Sequence, residues 1–131
     1  MEPEDQPLDI HVSELEDYLL VAASGHYSLD HANDLFKQAI DNGVRYKKRR
    51  ILIDVALVSG SIPLMDRFYF SEFLASYRIT HASGIVDSIA VFGLAGTIHQ
   101  EKFGETVAVN RGTNVRVFTD YTAAVDWLVS Q

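Results

Sequence analysis

The run Ile51-Leu52-Ile53, resumed by Val55-Ala56-Leu57-Val58 after a single Asp54, restricts the fold of this chain more than any other segment. A strand of this composition has no polar side to turn to water. It is the pattern of a strand covered on both faces, which belongs to a parallel sheet flanked by helices. Ser88 to Leu94 reads the same way, and Val115 to Phe118 is a short last strand. Upstream, Ile10, Val12 and Leu15 nearly alternate with polar residues, Glu16-Asp17 turns the chain, and Tyr18 to Ala23 follows as a more apolar and therefore more central strand. Helical spacing fills the gaps. Ser28 or Asp30 caps a helix over about residues 29–42, on which Ala32, Leu35, Phe36, Ala39 and Ile40 share one side. Gly43 then stands where a left-handed C-terminal residue is expected. Pro63 opens a second helix reaching Tyr77, Thr97 with Gln100 opens a third closed by Gly112, and Thr119 or Asp120 caps a fourth carrying Ala124, Trp127 and Leu128.

The order is ββαβαβαβα, an α/β fold with an N-terminal hairpin and a mostly parallel sheet of about five strands covered by four helices. Residues 1–9, with Pro3 and Pro7 among acids, read as a flexible lead-in, and residues 10–131 as one domain. With 131 residues and 47% apolar content the chain supports a full core, and the absence of cysteine excludes disulfides, thiolate nucleophiles and cysteine-ligated zinc. An acidic N-terminus and the lack of a long apolar run argue against a signal peptide or spanning helix, so a cytoplasmic location is expected. The net charge of −7 is carried by the first 17 residues, which hold seven acids and no Lys or Arg; the rest balances at eleven against eleven. That acidity guards the edge strand against aggregation and argues against a nucleic acid partner.

Catalytic patterns are missing. There is no GxGxxG, no GxxxxGK[ST], no GxSxG and no HExxH, so no cofactor is expected. His11, His26, His31, His81 and His99 are scattered without ligand spacing, and no metal is expected. Asp54, which interrupts a buried strand, is either a site residue at the carboxyl edge of the sheet or a carboxylate accepting hydrogen bonds from the loop beyond it; the second reading ranks first. An enzyme ranks third among the functions considered. It would draw on Asp54, Ser59, Ser61, Thr97 and His99, gathered at that edge by the strand-to-helix loops.

The second helix is rich in aromatics. Phe70, Phe73, Leu74 and Tyr77 share one side, while Leu64, Phe68 and Ala75 point nearly opposite. Leu64, Met65, Phe68 and Tyr69 are thus candidates for a protein interface, a homodimer contact or an apolar pocket, with contact to a neighbouring helix as the plainer reading. Arg45, Lys47, Lys48, Arg49 and Arg50 form a basic patch around Tyr46. Its first reading is structural, complementing the helix dipole and guarding the apolar strand that follows; an acidic partner, a lipid headgroup or, least favoured, a nucleic acid is the alternative.

The strand RRILIDVALV with its loop into a long helix, the strand SIAVFGLAG and the close VRVFTDYTAAVDWL, in this order and spacing, resemble the SpoIIAA-like family, grouped with STAS and SEC14-type folds. The resemblance covers nearly all of residues 10–131. It implies a non-catalytic regulatory or signalling domain with a protein partner. In the anti-sigma-factor antagonists of that group a serine in a motif like DSSG, at the loop after the third strand, is phosphorylated. Here that loop reads VSGSIPLMDR: Ser59 and Ser61 lie in it, the D-S-S-G order is absent, and Asp66 comes later. The SEC14-like side implies a small apolar ligand or lipid held between helices and sheet, and domains of this kind tend to self-associate.

Overall fold

The computed structural model describes residues 6–60, 69, 72–73, 76–77, 85–93 and 114–131. Five strands form one sheet: β1 (Asp9–Glu14), β2 (Leu19–His26), β3 (Arg50–Ser59), β4 (Ser88–Phe92) and β5 (Asn114–Phe118), lying side by side in sequence order. β1 runs antiparallel to β2 and the other neighbours are parallel, so the sheet is mixed. Two helices are described in full, α1 (Leu29–Arg45) and α2 (Tyr121–Val129), where four were expected. Tyr69, Glu72, Phe73, Ser76 and Tyr77, within the expected second helix, are also helical. The expected third helix, Thr97 to Gly112, lies outside the described residues.

The two faces of the sheet have different partners. Alternate residues Leu19, Val21 and Ala23 of β2, Ile51 and Ile53 of β3, Ile89 and Val91 of β4 and Val115 of β5 meet Ala32, Leu35, Phe36, Ala39 and Ile40 of α1 in one buried cluster. Leu52 and Ala90 point the other way and are buried with Ala124 and Leu128 of α2, so β3 is covered on both sides over Ile51–Ile53. Topology explains this division. With parallel strands in sequence order, crossovers of the usual right hand fall on one face. α1 is such a crossover, whereas α2 follows the last strand, connects to no further strand and takes the other face. Leu8, within the segment read as lead-in, is buried in the α1 cluster.

α1 starts as its sequence requires: Ser28 is the N-cap, and its hydroxyl accepts from the His31 N–H at 3.2 Å. Its end corrects the expectation for Gly43. The helix runs on to Arg45, Gly43 is buried inside it, and the left-handed residue is Lys47, with φ of 56°. Lys48 N–H reaches the Gly43 carbonyl at 2.9 Å and Lys47 N–H that of Val44 at 3.2 Å, which is the Schellman termination with lysine where glycine is usual. Gly43 serves packing instead. A Cβ there would lie 2.8 Å from Ile51 Cδ1 and 2.9 Å from Val86 Cγ2, so a hydrogen is what lets α1 lie this close to β3.

Phe73 and Tyr77 pack against the α1-side cluster, as the first of the two strips on the expected second helix requires. The Tyr77 hydroxyl donates to Asp41 Oδ1 at 2.6 Å, and this bond, then burial, then the carboxylate charge push the phenol from 10.0 up to about 12. Since the folded-state value lies above the unfolded one, the stabilisation is complete below pH 10 and disappears as pH rises towards 12. Tyr77→Phe is therefore expected to lower stability by about 1 kcal/mol at pH 7. The gap between wild type and variant should close between pH 10 and 12, read from urea midpoints; a gap that persists at pH 12 would refute the assignment.

Candidate functional site

The parallel strands end unequally. β4 stops at Phe92, opposite Asp54, while β3 continues for five residues to Ser59, paired there with β2 through Ser24–Leu57, Gly25–Val58 and His26–Ser59. Between Asp54 and Leu57 the β2 register slips, since three steps on β3 match two on β2, a bulge with one extra residue. Asp54 Oδ1 accepts the Ala56 N–H at 3.0 Å across this bulge, serving an amide that the slipped ladder leaves over. That is the structural reading of Asp54. Its charge also reaches Tyr121 at the start of α2, whose phenol is raised above its ordinary value chiefly by burial, then by its hydrogen bond with Tyr18, and least by Asp54. The Tyr121 ring meets Phe92 edge-on at 5.4 Å.

The projecting end of β3 departs from the continuous burial its sequence suggested. Asp54, Val55 and Ala56 are half-buried, Val58 is buried, and Leu57 is 75% exposed. The bulge is the cause, because one added residue rephases the alternation. Ser59, at the tip, donates its hydroxyl to the Gly25 carbonyl at 3.2 Å and lies 3.4 Å from His26 Nδ1. The next residue, Gly60, has φ of 102°, and the His26 ring lies where its Cβ would be, at 3.2 Å. Tyr27 N–H closes the junction by donating to the Ser59 carbonyl at 2.8 Å. The Ser59 hydroxyl is directed at the Gly25 carbonyl, with the His26 imidazole beside it.

Asp54 and Ser59 do not share a site. Five residues of extended strand put their Cα atoms about 16 Å apart, so the expected gathering of Asp54 with Ser59 does not occur. The chain leaves β4 at the level of Asp54, and Thr97 and His99 beyond it lie outside the described residues, as do Ser61, Leu64, Met65, Asp66 and Phe68. Tyr69 is described and is 49% exposed. Among the described residues, no three His, Asp or Glu side chains converge as a metal site would need, and no helix is long and apolar enough to cross a membrane.

The basic patch resolves into separate structural contacts. Arg45 stacks over Tyr46 with its guanidinium 5.5 Å from the ring, and Lys47 turns the chain. Lys48 Nζ donates to the carbonyls of Leu15 at 2.6 Å and Glu16 at 3.2 Å, clamping the β1–β2 turn. Arg49 pairs with Asp87 at 2.7 Å, and Arg50 donates to the Gln131 carbonyl. Three of the five cations are thus tied to elements distant in sequence. Leu57 and His26 were the residues that sequence reasoning missed. A bulge and a β2–β3 register bring them to this end, and neither leaves a local motif.

A mixed sheet in the order β1 to β5, opened by an antiparallel hairpin, with a crossover helix on one face and a C-terminal helix on the other, is the SpoIIAA-like fold. Solved structures agree. The chain is similar to an anti-sigma factor antagonist from Mycobacterium paratuberculosis, at 16% identity and a TM-score of 0.60 over 92% of this chain and 93% of that one. It is also similar to an uncharacterised DUF3478-family protein with a SpoIIAA-like fold from Shewanella loihica PV-4, at 18% identity and 0.55 over 93% and 94%. No family model and no curated protein sequence matches the chain.

Proposed function

We propose that this chain is a non-catalytic regulatory domain of the STAS type that acts by binding a protein, through the projecting end of β3 and the loop from Ser59 to Asp66. The observation that supports it is Leu57. A leucine 75% exposed on a strand held on its β2 side is an apolar contact offered to a partner. The neighbouring chemistry favours binding over catalysis, since Ser59 directs its proton to Gly25 and Asp54 serves its own bulge. If the loop carries the serine switch its resemblance implies, a phosphate on Ser59 would break the bond to Gly25 and place new charge beside His26. The reading of an apolar ligand rests on Leu64, Met65 and Phe68, outside the described residues.

Affinity capture from the native source with wild type, Leu57→Asp and Ser59→Glu tests the proposal. Leu57 is exposed, so its substitution should leave the free energy of unfolding within about 0.5 kcal/mol of wild type. Partners held by wild type and lost from Leu57→Asp support the reading. An identical set of partners on all three proteins would overturn it.

A further inference from the structure

The phase of the β1–β2 ladder decides which backbone groups of β1 are free. Leu15 N–H donates to the Tyr18 carbonyl at 3.0 Å, and the register pairs Ser13 with Leu20, His11 with Ala22 and Asp9 with Ser24. In an antiparallel ladder hydrogen-bonded pairs alternate, so the odd-numbered residues bond to β2. The N–H and C=O groups of Ile10, Val12 and Glu14 therefore point away from the sheet. Among the described residues, nothing hydrogen-bonds to them, and β1 is the first strand of the order. Such an edge is a template for one more strand.

The side chains along it say what that strand should carry. Val12 is 36% exposed and Leu15 38%, so apolar contact is available on both faces of the ribbon. The charge is of one sign. Asp9, Glu14, Glu16 and Asp17 lie on β1 and its turn, and within the first 17 residues there is no Lys or Arg to answer them. Lys48 approaches from α1's end but lies 3.8 Å from Glu14, with its short bonds directed to the turn carbonyls. A second copy would bring the same four acids, Asp9, Glu14, Glu16 and Asp17, to this edge, so the charge disfavours self-pairing while attracting the opposite sign.

We propose that the outer edge of β1 receives an extended segment of another protein bearing alternating basic and apolar residues, as a sixth strand. Its backbone bonds to Ile10, Val12 and Glu14, its apolar side chains lie on the face of Ile10 and Val12, and its cations lie on the opposite face with Asp9, within the acidic field of the hairpin. This edge lies two strands across from the end of β3, level with it at Asp9–Ser24–Leu57, and its backbone groups are distinct from those of β3, so the inference does not depend on what binds there.

The test uses the whole chain, labelled with nitrogen-15, and a capped seven-residue peptide alternating lysine and valine, with a glutamate-valine peptide as control. Amide signals of Ile10, Val12 and Glu14 should shift at submillimolar lysine-valine peptide, and binding should weaken about tenfold from 50 to 300 mM salt. Val12→Pro removes an outward N–H that β2 does not use, and should weaken binding at least about tenfold while the fold persists. Should that variant unfold, Asp9→Lys with Glu14→Lys tests the charge term, with loss of lysine-valine binding expected. The proposal is overturned by absence of shifts at millimolar peptide, by shifts confined to the Leu57 end, by equal binding of the glutamate peptide, or by binding that either variant leaves unchanged.

Discussion

Leu128→Ala is expected to lower the free energy of unfolding by about 3 kcal/mol, a large share of what a domain this size possesses. α2 is nine residues long and buries two of them fully, Ala124 and Leu128, against Leu52 and Ala90. Truncating Leu128 removes the larger of the helix's two fully buried side chains and leaves a cavity over the central strands. The polar clasp at the helix end does not compensate. Gln131 Oε1 accepts from Asn114 at 3.0 Å and Asn114 donates to the buried Ser88 hydroxyl at 3.2 Å, bonds that position α2 while returning little net stability. Denaturant unfolding followed at the single tryptophan, which lies 5.7 Å from Phe118, reports the loss. A change under about 1 kcal/mol would show that α2 is not what covers this face.

Gly43→Ala should destabilise by about 1 to 2 kcal/mol, although alanine is the better helix former by about 1 kcal/mol. Contacts of 2.8 and 2.9 Å to Ile51 and Val86 force either the side chains or the helix to move, and both neighbours are β-branched and stiff. The shorter clash involves Ile51 Cδ1, the atom that Ile51→Val deletes. The double variant Gly43→Ala with Ile51→Val should therefore be more stable than the sum of the single effects, a coupling of about 1 kcal/mol in urea midpoints. Additivity would mean that Gly43 serves the chain end after all.

The same glycine shows how sequence reading succeeds and fails. Ser28 was legible as a cap because capping is local, and Ala32 through Ile40 were legible as the buried side because helical spacing is local too. Gly43 was misread because a glycine near a helix end has two uses, and the choice between them depended on Ile51 and Val86, which only the fold brings near. Leu57 belonged to an apolar run, and only the bulge against β2 turned it outward. Five neighbouring cations looked like one patch. The contacts with the β1–β2 turn, Asp87 and Gln131 divided them.

The acidic hairpin follows the same division. Residue composition alone determined that the charge collects before Tyr18, that two central strands are apolar on both sides, and that a mixed or parallel sheet with helices must result, because these depend on periodicity and on neighbours in the chain. Tertiary structure alone decided which amides of β1 point outward, where β3 outruns β4, and that Leu57 turns to the outside. Ladder phase, register and bulges are properties of two strands together, and neither strand carries them in its own sequence.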